Sequence, residues 1–490
     1  MIEVWLCLIF IGFLLYHNYV LKRRKWPPGP LPLPIFGNIF QLNLKAPEKT
    51  FLEWKRKYGD IFTIWIPDPV VVLASNKLQT EHFGRPGETF AGRPDSIIMK
   101  LLFKGNWGLI LEKNNVYKSQ RRFALHVLKD HGFARPDFEP FIVGEALRAI
   151  ERFTEVCEKK GECDVKSVLR GNIIKQLVFG HTTDEVEKLM TLKVTLQQLF
   201  SDWFHPRWLI LEALPWVRHI EKVGVNYGIQ QAYKVNNRFL EFLQEEISEH
   251  QKTLDPSMPP RDFVDAFLLK MQKLPDYDDE FNMWQLTVAC YDLWSAALET
   301  TVCTLQHAVL FLLQNPEIQE KLHQEIANQI GSEQHLTLKD QSKLVYLSAF
   351  IQEVHRLTNV IPLSLPHETL EDAVIEGYRI SKGTTIMAQL ACVNLDPNEY
   401  ADPEKCVPER HIDPQTGKLL KEDRLHPFSI GRRSCLGEGL ARPEMFLILG
   451  TFLQKCRVVP VEPNKPPATV AVPGLVKSID PFMCNFEKIQ

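Results

Sequence analysis

The first hydrophobic feature is an uncharged apolar run, Val4 to Tyr16 (VWLCLIFIGFLLY), which Tyr19-Val20-Leu21 carries past His17 and Asn18. About eighteen such positions are the lower limit for crossing a bilayer core of roughly 30 Å. Ile61 to Ile66 (IFTIWI) and Pro69 to Leu73 (PVVVL) are rich in β-branched and aromatic residues and flank Pro67-Asp68, so they predict a β-hairpin. From about residue 117 to 355, apolar residues recur at i, i+3 and i+4, the spacing of amphipathic helices. Asp255-Pro256-Ser257-Met258-Pro259-Pro260 interrupts them as a surface loop. Short strand-like pieces return over 374–387, where Gly377-Tyr378 and Lys382-Gly383 supply turn chemistry. The pattern predicts one large, mainly α domain with a small β portion.

The longest helical pattern runs from roughly Asp279 to Gln314 and stops at Asn315-Pro316. About 35 residues at 1.5 Å each extend roughly 50 Å, enough to cross a whole domain. Its centre is apolar on all sides apart from Asp292, Glu299, Thr300 and Thr301. A helix apolar all round lies inside a large protein or a membrane. The polar quartet points to a protein interior, and a buried Glu-Thr pair there needs a reason.

Composition narrows the class. The 490 residues hold 57 basic and 60 acidic side chains, a formal net charge of -3, with 45% hydrophobic and 24% charged residues. That excludes a disordered chain, a collagen and a polytopic membrane protein. The near-neutral balance leaves no electrostatic footprint for nucleic acid. Ten cysteines are spread without CxxC pairs, so neither a dense disulfide framework nor a zinc knuckle is expected. Most read as reduced, buried, small apolar residues, and the absence of an Asn-x-Ser/Thr site agrees with a cytosol-facing body. Lys22-Arg23-Arg24-Lys25 follows the apolar run at once, with no small-residue cleavage motif. Residues 1–25 therefore read as an uncleaved anchor, and the positive-inside rule puts the body, 26–490, in the cytoplasm. Trp26-Pro27-Pro28-Gly29-Pro30 stiffens the exit, because proline locks φ and ends a helix.

The chemistry concentrates in Phe428-Ser429-Ile430-Gly431-Arg432-Arg433-Ser434-Cys435-Leu436-Gly437-Glu438-Gly439. Glycines at −4 and +2 let the backbone turn sharply and approach a flat object closely. A helix pattern begins directly after Cys435, so its orphan N–H groups and positive dipole end are expected near the sulfur, favouring thiolate. Arg433 adds a cation able to pair with a carboxylate. A cysteine thiolate in such a setting suits haem iron, where sulfur donates the electron density that favours O–O cleavage.

This segment resembles the haem-binding loop of the cytochrome P-450 family, matching F-x-x-G-x-R-x-C-x-G at every fixed position. Glu353-Val354-His355-Arg356 resembles the family's E-x-x-R motif, and Pro408-Glu409-Arg410 would bring Arg410 to that pair as a structural cluster, with His411 standing where phenylalanine is usual. Ala296-Ala297-Leu298-Glu299-Thr300-Thr301 is similar to the dioxygen-activation motif, with Ala297 in place of the usual glycine. The resemblance makes Thr300 and Glu299 the catalytic acid–alcohol pair, although a mid-helix threonine commonly bonds its own i−4 carbonyl. Tyr117-Lys118-Ser119-Gln120-Arg121 resembles the W-x-x-x-R helix. By resemblance Arg121, Arg433, His367 and Tyr117 would hold the haem propionates. Cys435 would be the axial ligand of the iron, with Phe428 and Gly437 in the cofactor loop.

The similarity runs from Pro27-Pro28-Gly29-Pro30 to the C-terminus. Tyr58-Gly59-Asp60-Ile61-Phe62 and Glu88-Thr89-Phe90-Ala91-Gly92-Arg93-Pro94 are most like the animal microsomal branch that oxidises drugs, steroids and fatty acids. It implies the mainly α cytochrome P-450 fold, haem b (iron protoporphyrin IX) and insertion of one atom of dioxygen into a lipophilic substrate. Gly437-Glu438-Gly439 lacks the third glycine of a dinucleotide fingerprint, so electrons must come from elsewhere. The family implies NADPH–cytochrome P-450 reductase, with cytochrome b5 as an optional second donor, on the endoplasmic reticulum membrane with the catalytic domain facing the cytosol. Lys118, Arg122 and Arg432 are candidates for a basic docking face. Trp107, Leu109, Ile110, Trp294, Leu298, Ile361, Leu363 and Leu365 are candidate pocket walls. Two alternatives remain: a haem-thiolate isomerase or dehydratase acting on peroxides without a reductase, and a catalytically silent haem-binding protein.

Overall fold

The computed structural model describes residues 2–84, 88–132, 136–165, 172–181, 206–223, 228–274, 278–469, 471–472 and 474–489. The part of the predicted helical region between 182 and 205 lies outside them. Helix α1 (Ile2–Tyr16) continues as a wider helical turn, His17–Leu21. It presents Trp5, Ile9, Phe10 and Phe13 on its exposed surface. Strands β1 (Ile61–Ile66) and β2 (Asp68–Leu73) pair antiparallel from Ile61↔Leu73 to Ile66↔Asp68, so Pro67 alone makes the turn. The expected hairpin is present.

Helices α2 (Asn114–His131) and α3 (Glu139–Lys160) lead to the short strand β3 (Cys163–Asp164). The long helix α4 spans Met283–Gln314. It starts later than the apolar pattern because the Asp278 carboxylate takes the N–H groups of Glu280 and Phe281 (2.8 Å each). Asn282 then caps the helix by accepting Gln285 N–H at 2.9 Å. It ends at Asn315, because Pro316 opens the next helix. α4 is long and apolar enough to cross a membrane, yet 72% of its most apolar stretch is buried inside the protein. The polar quartet was the right guide.

Helix α5 (Val345–Thr358), strands β4 (His367–Glu368) and β5 (Thr385–Ala388), helix α6 (Glu438–Lys455) and strands β6 (Cys456–Pro460) and β7 (Met483–Lys488) complete the frame. One sheet has the order β1-β2-β5-β4, with β2 and β5 parallel and the other pairs antiparallel. A second has the order β3-β7-β6, antiparallel throughout. The principal core is helical, with α4 packed against α5 and α6; two smaller apolar clusters cover the faces of the first sheet. The site forms where loops from the sheet meet these helices.

Candidate active site

The cysteine loop is held by its own backbone. Cys435 N–H donates to the Phe428 carbonyl at 2.8 Å, and Ser434 N–H to that of Gly431 at 3.2 Å. Gly431 has φ +81°, and a Cβ there would lie 1.8 Å from the Phe83 carbonyl oxygen, so no other residue fits. The Phe428 ring packs edge-on to His355 at 5.2 Å, and the Arg442 guanidinium covers it at 4.8 Å. Gly437 is the N-cap of α6, which begins at Glu438 rather than directly after the cysteine. Burial pushes the Cys435 thiol above its ordinary range. The N–H groups of Gly437 and Glu438 and the Arg121 cation pull the other way, while the Glu438 carboxylate adds to the upward shift. Helix polarity alone does not make a thiolate here; a metal cation on the sulfur would. The residue as a whole is nonetheless exposed.

The centre of α4 presents a notch. Ala296 is exposed in the middle of an otherwise buried stretch, with Thr300 half-buried one turn on. Thr300 Oγ1 donates to the Ala296 carbonyl at 2.5 Å. Glu299 is buried on the adjoining face, where Cys303 Sγ donates to its carboxylate at 3.3 Å.

Cations gather on one side. Arg433 Nε donates to the Ala91 carbonyl and Nη2 to that of Glu112, each at 2.7 Å. Its guanidinium lies 3.2 Å from the centroid of the Tyr117 ring, a desolvated cation–π stack. Arg93 donates to the carbonyls of Ile110 (3.2 Å), Leu365 (3.2 Å) and Pro366 (2.7 Å). Arg121 donates to the Ser434 carbonyl at 2.7 Å. Burial and mutual repulsion hold Arg93 down to about 9, and burial is the larger cause that holds Arg433 down to about 10. His367 is buried beside them, its Nδ1 2.6 Å from the Phe90 carbonyl. Burial, then Arg93, depresses it well below the usual imidazole range. The Gly92–Glu368 bridge carries residues 91–93 to β4 and so brings Arg93 to His367.

The loop that carries Gly108, Leu109 and Ile110 is clasped by α4. Asp292 accepts the N–H groups of Leu109 (2.6 Å) and Ile110 (2.9 Å). Gln285, two turns earlier, exchanges hydrogen bonds with Gly108 through its carbonyl and amide, both at 3.1 Å. Burial pushes the Asp292 carboxyl up to about 7, against those two N–H groups. On a separate flank Glu353 and Arg356 form a bidentate pair, both contacts 2.8 Å, with no exposed surface on either side chain. Arg410 Nε donates to Glu353 at 3.1 Å, and Val407 N–H at 2.9 Å. Arg356 also ties down the carbonyls of Asn394 (2.6 Å) and Pro403 (2.7 Å).

The chain matches the Cytochrome P450 family over residues 27–486. The chain is a cytochrome P450. It is 34% identical over 474 residues to "Probable cytochrome P450 CYP36A1" of Caenorhabditis elegans, with 96% of each chain covered. It is 34% identical to "Cytochrome P450 2C70" of Rattus norvegicus (99% of this chain, 98% of the relative). It is also 34% identical to "Cytochrome P450 2C8" of Homo sapiens (97% and 96%). These relatives are monooxygenases, and the chain is an enzyme of that kind.

Haem is the cofactor of cytochromes P450, and the residues fit it. Arg433 Nη1 is buried without a hydrogen-bond partner among the described residues. The neighbouring guanidiniums repel one another, which is the setting an anionic ligand edge relieves. Cys435 and Ala296 are both exposed residues rather than packed ones.

Several expectations change. The Tyr117 hydroxyl was expected to reach a propionate; it donates to the Arg432 carbonyl instead, and the ring serves as a platform for Arg433. Trp294 is not a pocket wall: it packs against Phe179, Phe239 and Phe242 in the helical core. Leu363 belongs to the sheet's apolar cluster, and Leu298 faces α3 and α6 across a separate cavity of about 50 Å³. Trp107, Leu109 and Ile110 do sit on the clasped loop. Arg93, Gln285 and His411 carried no assigned role in the sequence reading. Only His411 left a local signal, as a departure from the usual phenylalanine. Lys118, Arg121, Arg122 and Arg432 line a surface groove of about 750 Å³ with Glu88 and Glu371. Glu88 pairs with Lys118 (3.4 Å) and Arg432 (3.7 Å), so that face is less cationic than its basic residues alone imply.

Proposed function

We propose that this cytochrome P450 inserts one atom of dioxygen into a lipophilic small molecule, a xenobiotic, fatty acid or steroid, using electrons from an NADPH-dependent flavoprotein reductase. The observation that supports the reading is the set of cations about the cysteine loop, where Arg121 donates to the Ser434 carbonyl at 2.7 Å and Arg433 Nη1 is buried without a hydrogen-bond partner among the described residues. Haem b held there supplies dioxygen activation and oxygen-atom transfer when bound. Cys435 would hold its iron through sulfur, and Arg93, Arg121, Arg433 and His367 would neutralise and orient its carboxylates.

The chain's own contribution is orientation, exclusion of water and proton movement. With its hydroxyl proton donated to the Ala296 carbonyl, Thr300 turns an oxygen lone pair toward the notch, where it accepts a proton-donating water or substrate hydroxyl. Glu299, buried one residue before it, is the adjoining acid. The Gln285–Asp292 clasp fixes the wall carrying Trp107, Leu109 and Ile110. The Glu353–Arg356–Arg410 cluster braces the loops beneath.

Residues 1–25 act as the anchor of the catalytic body, 26–490, supported by the exposed apolar surface of α1 and by Lys22-Arg23-Arg24-Lys25 after it. The proposed location is the endoplasmic reticulum membrane, with the body in the cytosol. The groove at Lys118, Arg122 and Arg432 is the proposed docking face for the reductase and for cytochrome b5 as an auxiliary donor. The test is the spectrum of the reduced, carbon-monoxide-bound protein. Wild type gives the red-shifted thiolate Soret band, and Cys435→Ser loses it. Reconstitution with the reductase then gives NADPH-dependent oxidation of a lipophilic panel; turnover that ignores NADPH would overturn the monooxygenase reading in favour of isomerisation.

A further inference from the structure

Three polar side chains in the second half of α4 turn back along their own helix. Thr300 Oγ1 donates to the Ala296 carbonyl, Thr304 Oγ1 donates to that of Thr300 at 2.8 Å, and His307 Nδ1 lies 2.7 Å from that of Cys303. Each reaches the carbonyl four residues earlier, the ordinary local partner for a polar side chain inside a helix. Cys303 departs from that pattern. Its Sγ donates to the carboxylate of Glu299, also four residues earlier, with 3.3 Å between sulfur and Oε1. Both residues are buried, Cys303 without any exposed surface.

What surrounds the thiol keeps it aimed there. Cys303 sits in a small apolar cluster with Val360, Ile361, Leu475 and Val476. These come from the segment after α5 and the segment before β7, and Lys477 N–H donates to the Val360 carbonyl at 2.8 Å to join the two. Apolar side chains offer an S–H no acceptor, whereas a carboxylate offers a charged one. A thiol is also a weak donor, so it directs the carboxylate without holding the charged form as firmly as a hydroxyl or a cation would. Glu299 and Thr300 project about 100° apart around the helix axis. The acid therefore approaches the notch from the side, and its rotamer decides whether it reaches it.

We infer that Cys303 is a positioning residue for the reaction: its thiol fixes the Glu299 carboxylate in the orientation from which a proton passes to the notch. With Oε1 tied to sulfur, the last torsion of the Glu299 side chain is no longer free, and the second oxygen keeps one direction. The thiol keeps its own proton throughout. The proton that moves reaches the carboxylate from solvent water and leaves it for the water that Thr300 holds. The inference rests on the proposed roles of Glu299 and Thr300 in a reductase-driven monooxygenase, and adds the residue that holds the acid in place.

The first measurement is the infrared S–H stretching band of the purified full-chain holoprotein, isolated as the difference between wild type and Cys303→Ala. The band should lie at lower frequency than that of a thiol without an acceptor, and Glu299→Gln should move it back toward that position. A band already at the unbonded position, or one that Glu299→Gln leaves in place, would overturn the inference. The second measurement is product formed per NADPH consumed. Cys303→Val, which fills the space without a donor, should lower it by roughly tenfold, the low end for a hydrogen bond to a charged group, with the balance going to hydrogen peroxide. Cys303→Ser, which restores a donor, should retain most of it. The carbon-monoxide spectrum confirms that each variant is folded. Equal losses in Cys303→Ser and Cys303→Val would reduce the residue to packing. Glu299→Gln separates the two levels of the argument. If it loses coupling while Cys303→Val does not, the role of Cys303 alone falls; if it couples as wild type does, the relay falls and Cys303 with it.

Discussion

His411 Nε2 lies 2.9 Å from Glu353 Oε2, and neither side chain has exposed surface. Burial works against charge on His411, but the Glu353 and Glu422 carboxylates outweigh it and hold the imidazole above its ordinary range. Burial likewise opposes charge on Glu353, yet Arg356 and His411 draw it down to about 2. A histidine raised by folding adds stability that is complete below its unfolded value of about 6.5 and fades as pH rises through the folded value. His411→Phe should therefore cost about 1–3 kcal/mol near pH 6 and clearly less near pH 9. Chemical denaturation of the two proteins at both pH values checks this; an equal loss at each would mean that His411 is neutral throughout. Glu353 contributes in the opposite direction, its stabilisation present above about 4.5 and lost as pH falls toward about 2.

What the sequence made legible is whatever short-range chemistry determines. The hairpin register follows from β-branched runs meeting at Pro67, and the cysteine loop from glycines whose positions are set by one tight turn. The start of α4 misled because Asp278 and Asn282 are both acceptors able to cap a helix, and only geometry shows that Asp278 takes the N–H groups of Glu280 and Phe281 in a turn while Asn282 takes that of Gln285 and starts the helix. Arg93 was invisible as a site residue because its partners Leu365 and Pro366 are 272 and 273 residues away. Trp294 was misplaced because an apolar helix does not reveal which face meets a cavity; the aromatic rings of other helices decide that.

Asp292 offers a second pH test. Its carboxyl, near 3.9 when unfolded, is pushed up to about 7 by burial. The folded protein holds that proton while the unfolded chain has lost it, so stability falls by about 1.4 kcal/mol per pH unit between those values. Asp292→Asn keeps an oxygen for the N–H groups of Leu109 and Ile110 and removes the titration. It should abolish that part of the slope and match or exceed wild-type stability near pH 8. Asp292→Leu strands two buried N–H groups and should cost about 2–5 kcal/mol. Parallel denaturation series from about pH 5 to 8 decide between these outcomes; a slope unchanged in the Asn variant would show that the carboxyl is ionised in the fold.

Arg93→Gln removes the guanidinium that joins Ile110, Leu365 and Pro366 and relieves its repulsion of Arg433. Losing one charged hydrogen-bonding partner is worth about 1.5–3 kcal/mol, so haem should leave roughly ten to a hundred times faster. Transfer of haem to an apoglobin acceptor measures this directly. Arg93→Lys, which keeps the charge without the planar fork, should fall between the two. Unchanged transfer in Arg93→Gln would confine Arg93 to bracing the loops.

Thr300 Oγ1 spends its proton on the Ala296 carbonyl at 2.5 Å, which leaves the oxygen an acceptor toward the notch. A merely structural threonine would be replaced by serine or by isosteric valine at comparable cost, since the i−4 bond adds little to a helix. A threonine that manages protons would be rescued by serine and not by valine. Thr300→Val should therefore lower product formed per NADPH consumed by roughly a hundredfold, the low end of the range for a lost proton-transfer group, and divert reducing equivalents to hydrogen peroxide. Thr300→Ser should retain most of the coupling. The carbon-monoxide spectrum should stay at the wild-type position in both, because neither substitution touches Cys435 or the cationic cluster. Product, NADPH and peroxide measured in the same reaction give the answer, and equal coupling in Thr300→Val and wild type would remove Thr300 from the chemistry and leave it a core residue beside Ala296.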